Sequence, residues 1–140
     1  MNKEILSYFF ETMNEEVSPE ALGIIYDDTV VFRDPFTEVR GIRAVHMVFQ
    51  HMYETLDDPR FVIKEYVGDQ DRAYVRWDFV FHFKGDTKEN RFEGVSRIQM
   101  NAEGKIISHV DFWDAAEHIY EKIPLLGSVL RFVKRKIARN

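Results

Sequence analysis

The chain has 140 residues, 45% apolar and 14% aromatic, with no cysteine. That suits one domain with material for a sizeable core, and it excludes disulfides, thiolate metal sites and cysteine nucleophiles. Residues 1–120 carry 13 Lys and Arg against 23 Asp and Glu (−10), and residues 121–140 carry 6 against 1 (+5); an acidic body of this kind argues against nucleic-acid binding.

The acidic, amphipathic N-terminus does not read as a secretory leader, and no apolar run reaches membrane-spanning length, so a cytoplasmic protein is expected. Residues 3–13 predict a helix with an apolar stripe of Ile5, Leu6, Phe9, Phe10 and Met13. Ser18-Pro19-Glu20 reads as a second, short helix start: Ser as N-cap, Pro in the first turn, then an acid. It gives way near Gly23 to Ile24, Ile25 and Tyr26.

An apolar strand, Thr29–Phe32, then ends on Asp34-Pro35. Proline lacks an N–H and biases the residue before it away from helical angles, so the strand stops or turns and Asp34 sits at its mouth. Two readings stand side by side. Asp-Pro is ordinary turn chemistry; a carboxylate held beside apolar residues also suits a general base, because burial raises its pKa. Gly41 closes the stretch. Val45, Val48, Phe49, Met52, Tyr53 and Leu56 then mark a helix over 42–56, which Asp57-Asp58-Pro59 ends.

Beyond Arg60 the apolar period becomes two. Strands are expected over 61–67, 73–84, 89–100 and 105–114, separated by turns at 68–71, 85–87 and 101–104. In the second of these, Ala73, Val75, Trp77, Phe79, Phe81 and Phe83 share one face. Arg76, Asp78, Glu93 and Arg97 are expected as cross-strand ion pairs on the other. Helices first and a meander later indicate α+β, with helices on one face of a curved, mostly antiparallel sheet. In the tail, 115–140, Pro124 precedes a basic amphipathic helix with Leu126, Val129, Leu130, Val133 and Ile137 on its apolar side. It would dock on the acidic body or a second subunit, or else on an anionic membrane surface.

This order of elements resembles the cystatin-like cone of the nuclear-transport-factor-like, or SnoaL-like, superfamily, which includes ketosteroid isomerases, polyketide cyclases and scytalone dehydratase. The residues carrying the resemblance are Tyr26-Asp27-Asp28-Thr29, Asp34-Pro35-Phe36, Gly41, Glu103-Gly104-Lys105-Ile106 and Phe112-Trp113. The resemblance covers about residues 3–117; the domain is expected over 1–117, with 118–140 as a basic helical extension of the same domain. The resemblance implies that Asp34 stands at the isomerase general base and Trp113 at a pocket tryptophan. The isomerase oxyanion donors fall on Phe10 and Ser96, which argues against steroid isomerase activity.

On the last strand, apolar count alone would turn Ile106, Ser108, Val110, Phe112 and Asp114 inward. The resemblance instead turns Ile107, His109, Asp111 and Trp113 into the pocket and leaves the even set on a convex face suited to a homodimer. His109 and Asp111 then join Asp34, as an acid–base set or as a structural polar network. Met52 or Tyr53, Trp77 and Phe79 would line the apolar walls or simply pack the core.

Metal and phosphate signals are absent: His46 and His51 are five apart, His109-x-Asp111-x-x-Asp114 is a weak ligand set, and no nucleophile elbow, phosphate loop or dinucleotide fingerprint occurs. Three functions follow as expectations. One is cofactor-free proton transfer on an apolar carbonyl compound, with Asp34 as base, His109 as partner and Asp111 as orienter. Another is a binding module for an apolar ligand. The last is a dimeric interaction protein with the tail as contact.

Overall fold

The computed structural model describes residues 1–114 and 135–138. Helix α1 (Lys3–Thr12) starts where the Asn2 side chain accepts the Ile5 N–H at 2.9 Å, and it buries Leu6 and Phe10, one turn apart. In α2 (Pro19–Leu22) Ser18 Oγ accepts the Ala21 N–H at 3.1 Å, as the Ser-Pro-Glu signature predicts.

Strand β1 (Tyr26–Arg33) turns through Asp34–Thr37 into β2 (Glu38–Arg40), an antiparallel partner that alternation alone did not reveal because it is only three residues long. Gly41 has φ 88° and donates its N–H to the Val30 carbonyl at 2.7 Å, a conformation open to a residue without Cβ. Helix α3 (Ile42–Thr55) follows and buries Val45 and Phe49. Burying such a side chain contributes about 1.5–3 kcal/mol.

The meander consists of β3 (Leu56–Gly68), β4 (Arg72–Phe83), β5 (Asn90–Met100) and β6 (Ile106–Phe112). Strand order is β2-β1-β6-β5-β4-β3, with β1 and β6 parallel and every other neighbour antiparallel. The α+β cone is therefore present: α1 and α3 cover one face of a six-stranded sheet. The core gathers Leu6 and Phe10, Val45 and Phe49, and the inward rows of β4 and β5.

Two expectations need correction. The first meander strand does not start at Phe61, after Asp57-Asp58-Pro59; β3 begins at Leu56, directly after α3, and passes through a bulge, with Asp58 at φ 50° and a register shift between Asp57 and Arg60. Pro59 is tolerated because β3 is an edge strand. On β6 neither set faces inward throughout. Ile106 and His109 are both buried, at 0% and 4% exposure, although they are three residues apart. The register shift opposite Gln99 and Met100 places one extra residue, Ile107, in β6 and switches its parity. The outer face carries the expected Arg76–Glu93 pair at 3.1 Å, while Asp78 pairs at 2.8 Å with Arg91, which was not among the expected residues; both are of small energetic weight. Arg97 instead lies over the Phe112 ring at 5.6 Å. The expected tail helix falls outside the described residues except for 135–138, which are helical and exposed.

Candidate active site

Between α3 and the sheet the inward side chains leave an apolar cavity of about 380 Å³, within the range that encloses a small molecule. Phe32, Phe36, Val48, Phe49, Met52, Leu56, Phe61, Trp77, Phe79, Phe83, Phe92 and Trp113 form the walls; Asp34, His51, Thr55 and Asp111 are its polar points. No Lys or Arg lines it among the described residues.

Asp34 unites both readings of Asp-Pro. Its Oδ1 accepts the N–H groups of Phe36 at 2.8 Å and Thr37 at 2.9 Å, which builds the turn, and the same side chain lines the cavity. Burial raises its carboxyl above the ordinary range. The two N–H donors pull the other way, the Asp111 charge adds to the rise and His109 opposes it.

Behind the cavity lies a buried polar chain. Tyr26, with no exposed surface, has its hydroxyl 2.7 Å from His109 Nδ1. Burial, and secondarily the Asp111 charge, holds this phenol well above its ordinary pKa. It therefore stays a donor, Nδ1 accepts, and Nε2 carries the imidazole proton. Nε2 lies 2.7 Å from Asp111 Oδ1 and donates to it; Ser96 Oγ also donates to that oxygen. Trp77 Nε1 completes the chain by donating to Ser96 Oγ at 2.8 Å. Both ring nitrogens of His109 are thus engaged, and it lines only a chamber of about 20 Å³, shared with Phe10 and Ser96. Asp111 lines both that chamber and the main cavity. His109 is therefore enclosed behind Asp111 instead of sharing the main cavity with Asp34, and Asp111 faces that cavity.

The sequence profile of the SnoaL-like domain matches residues 6–109. The chain belongs to the SnoaL-like family. Among curated proteins none matches it. Solved structures share the fold of this SnoaL-like domain at low identity. A ketosteroid isomerase-like hypothetical protein from Catenulispora acidiphila, in complex with trimethylamine, has TM-score 0.69 and 13% identity over 85% of this chain and 91% of its own. TsrD from Streptomyces laurentii has TM-score 0.71 and 16% identity over 89% and 98%. A Jannaschia protein described as a SnoaL-like polyketide cyclase has TM-score 0.68 and 13% identity over 81% and 84%.

Within the SnoaL-like domain, Met52, Trp77, Phe79 and Trp113 line the main cavity, whereas Phe10 and Ser96 stand at the small chamber. Tyr53 is a correction. One residue on from Met52 is about 100° around the helix, and Tyr53 lines a separate surface groove with Met13, Glu15 and Glu16. Burial and the Glu15 charge push its phenol up to about 12. Sequence reasoning used Tyr26 as a marker of the fold and missed its place beside His109, which depends on the parallel β1–β6 pairing. It also missed Phe92 at the wall, although Phe92 falls on the buried row of the alternation along β5. His46 Nε2 lies 2.8 Å from the Val17 carbonyl, and no metal-type cluster of His, Asp and Glu occurs among the described residues.

Proposed function

We propose that this SnoaL-like domain binds an apolar small molecule in its cavity and catalyses cofactor-free proton transfer on it, of the isomerase, cyclase or dehydratase type. The observation that carries the reading is that Asp34 and Asp111 line one apolar cavity, with the Asp34 carboxyl raised by burial. A base raised in this way takes a proton from carbon more readily near neutral pH than an ordinary carboxylate. Asp34 would abstract a proton beside a carbonyl, and Asp111, oriented by His109 and Ser96, would serve the second position. Aromatic walls would keep water from the exchanged proton. The Catenulispora protein's complex with trimethylamine is in keeping with a small-molecule cavity.

A second reading, a non-catalytic binder, gains support from one observation. The hydroxyl of Ser96 is donated to Asp111 and the indole N–H of Trp77 to Ser96, so neither points at an enolate oxygen. Deuterium exchange at the α-carbons of 2-tetralone in D₂O, followed by proton NMR, separates the two. The enzyme reading expects exchange above the buffer rate, and an Asp34→Asn variant that binds the ketone but exchanges it at the buffer rate. Unaltered exchange in that variant removes Asp34 as the base; binding without any exchange leaves the binder.

A further inference from the structure

The charge of the cavity's occupant follows from what surrounds it. Its charged wall positions are acids: Asp34 arrives from the β1–β2 turn and Asp111 from β6, and no Lys or Arg joins them among the described residues. The donors near these acids are already committed. Trp77 donates to Ser96, Ser96 to Asp111, and the Thr55 hydroxyl to the His51 carbonyl at 2.8 Å. An anion entering here would meet two carboxylates and, His51 apart, few uncommitted side-chain donors, whereas a cation would meet both carboxylates as partners.

An aromatic cluster stands next to the two acids. Phe36 lies two residues past Asp34, and Trp113 two residues past Asp111. Trp113 stacks on Phe92 with centroids 4.7 Å apart and meets Phe36 at 5.4 Å and 67°. Aromatic faces are the negative ends of ring quadrupoles and attract cations. Two carboxylates beside a tryptophan–phenylalanine cluster, at a partly open cavity of about 380 Å³, are the equipment of an ammonium receptor.

We propose that the cavity selects a cationic ligand: an apolar tertiary amine or quaternary ammonium compound, its charge between Asp34 and Asp111 and its substituents against Trp113, Phe92 and Phe36. This rests on the cavity of the proposed function but not on proton transfer within it.

The test is calorimetric titration of the full chain at pH 8 in 0.1 M salt with three probes of one shape: benzyltrimethylammonium, its uncharged carbon isostere neopentylbenzene, and phenylmethanesulfonate. A desolvated cation–π contact corresponds to about tenfold to thirtyfold in affinity, so the ammonium probe binds tighter than the isostere by at least about that factor. The sulfonate does not compete. Asp34→Asn lowers the cation-to-neutral ratio. Trp113→Leu, at a half-buried position outside the hydrogen-bonded chain, lowers it as well and serves if the carboxylate variants fold poorly. Equal or tighter binding of the isostere overturns the proposal and leaves ketone exchange as an independent measure of the proposed function. Binding of the sulfonate in preference overturns it too. If no probe binds and no ketone is exchanged, the cavity fails for both.

Discussion

Gly94 is where the site is most sensitive to a single atom. It pairs with Trp77 across β4 and β5, and a Cβ placed on it would stand 2.2, 2.4 and 2.7 Å from three carbons of the Trp77 ring. Ordinary carbon contacts are about 3.5–4.0 Å, so in Gly94→Ala the ring must retreat by more than about 1 Å. It cannot do so and keep its N–H on Ser96, 2.8 Å away, or its edge contact with Phe61, 5.6 Å between centroids. Overpacking of this kind costs about 1–3 kcal/mol, and leaving a buried donor without its acceptor costs about 1–3 more. The expected loss is about 2–6 kcal/mol out of a typical 5–15 for a domain. Urea denaturation followed by circular dichroism measures it as a lower midpoint with unchanged slope. The double variant Trp77→Phe/Gly94→Ala isolates the clash: with the indole gone, the alanine should cost at least about 1 kcal/mol less than it does alone. A Gly94→Ala protein within about 0.5 kcal/mol of the parent, or strict additivity in the cycle, would show that the Trp77 ring does not lie against this backbone.

Tyr26→Phe leaves His109 Nδ1 buried without its donor, and a loss of about 1–3 kcal/mol at pH 7 is expected. Because the folded-state pKa of Tyr26 is raised, its contribution is intact below about pH 10. Above that the unfolded chain ionises first, and parental stability falls by about 1.4 kcal/mol per pH unit from this group. The phenylalanine variant lacks that part of the alkaline slope, and denaturation at pH 9–11 checks it. Asp34 is also raised, so the stability it contributes is complete below its ordinary value of 3.8 and declines as pH rises through the folded-state pKa. Asp34→Asn removes that decline, so the variant gains on the parent between pH 4 and 7, while its amide oxygen still accepts the Phe36 and Thr37 N–H groups; a parent that gains on the variant over this range contradicts the shift. Gly41→Ala places a Cβ at φ 88° and should cost about 1–3 kcal/mol by the same denaturation assay.

Local signals were sufficient wherever a residue's role depends on its near neighbours in the chain. Ser18-Pro19 starts α2, the 3.6-residue apolar spacing marks α3, and strict alternation from Ala73 to Phe81 names the buried face of β4. Asp34-Pro35 itself marked the end of β1, the family resemblance put His109, Asp111 and Trp113 on one side of β6, and Asp34, Asp111 and Trp113 do line one cavity. The sequence did not disclose that one bulge in β6 turns Ile106 inward together with His109. A bulge depends on register against the neighbouring strand, and no periodicity within a strand records it.

Composition, period and cap chemistry thus determined an acidic α+β chain with helices before a meander, because those properties act over a few residues. Only the tertiary structure decided which groups meet: Tyr26 reaches His109 across 83 positions of sequence, Ser96 and Trp77 are joined across 19, and the result is that His109 is enclosed while Asp111 faces the cavity. Such contacts are set by strand pairing and by the packing of helices on the sheet. Both are properties of the closed chain, in which residues far apart in sequence compete for the same few ångströms.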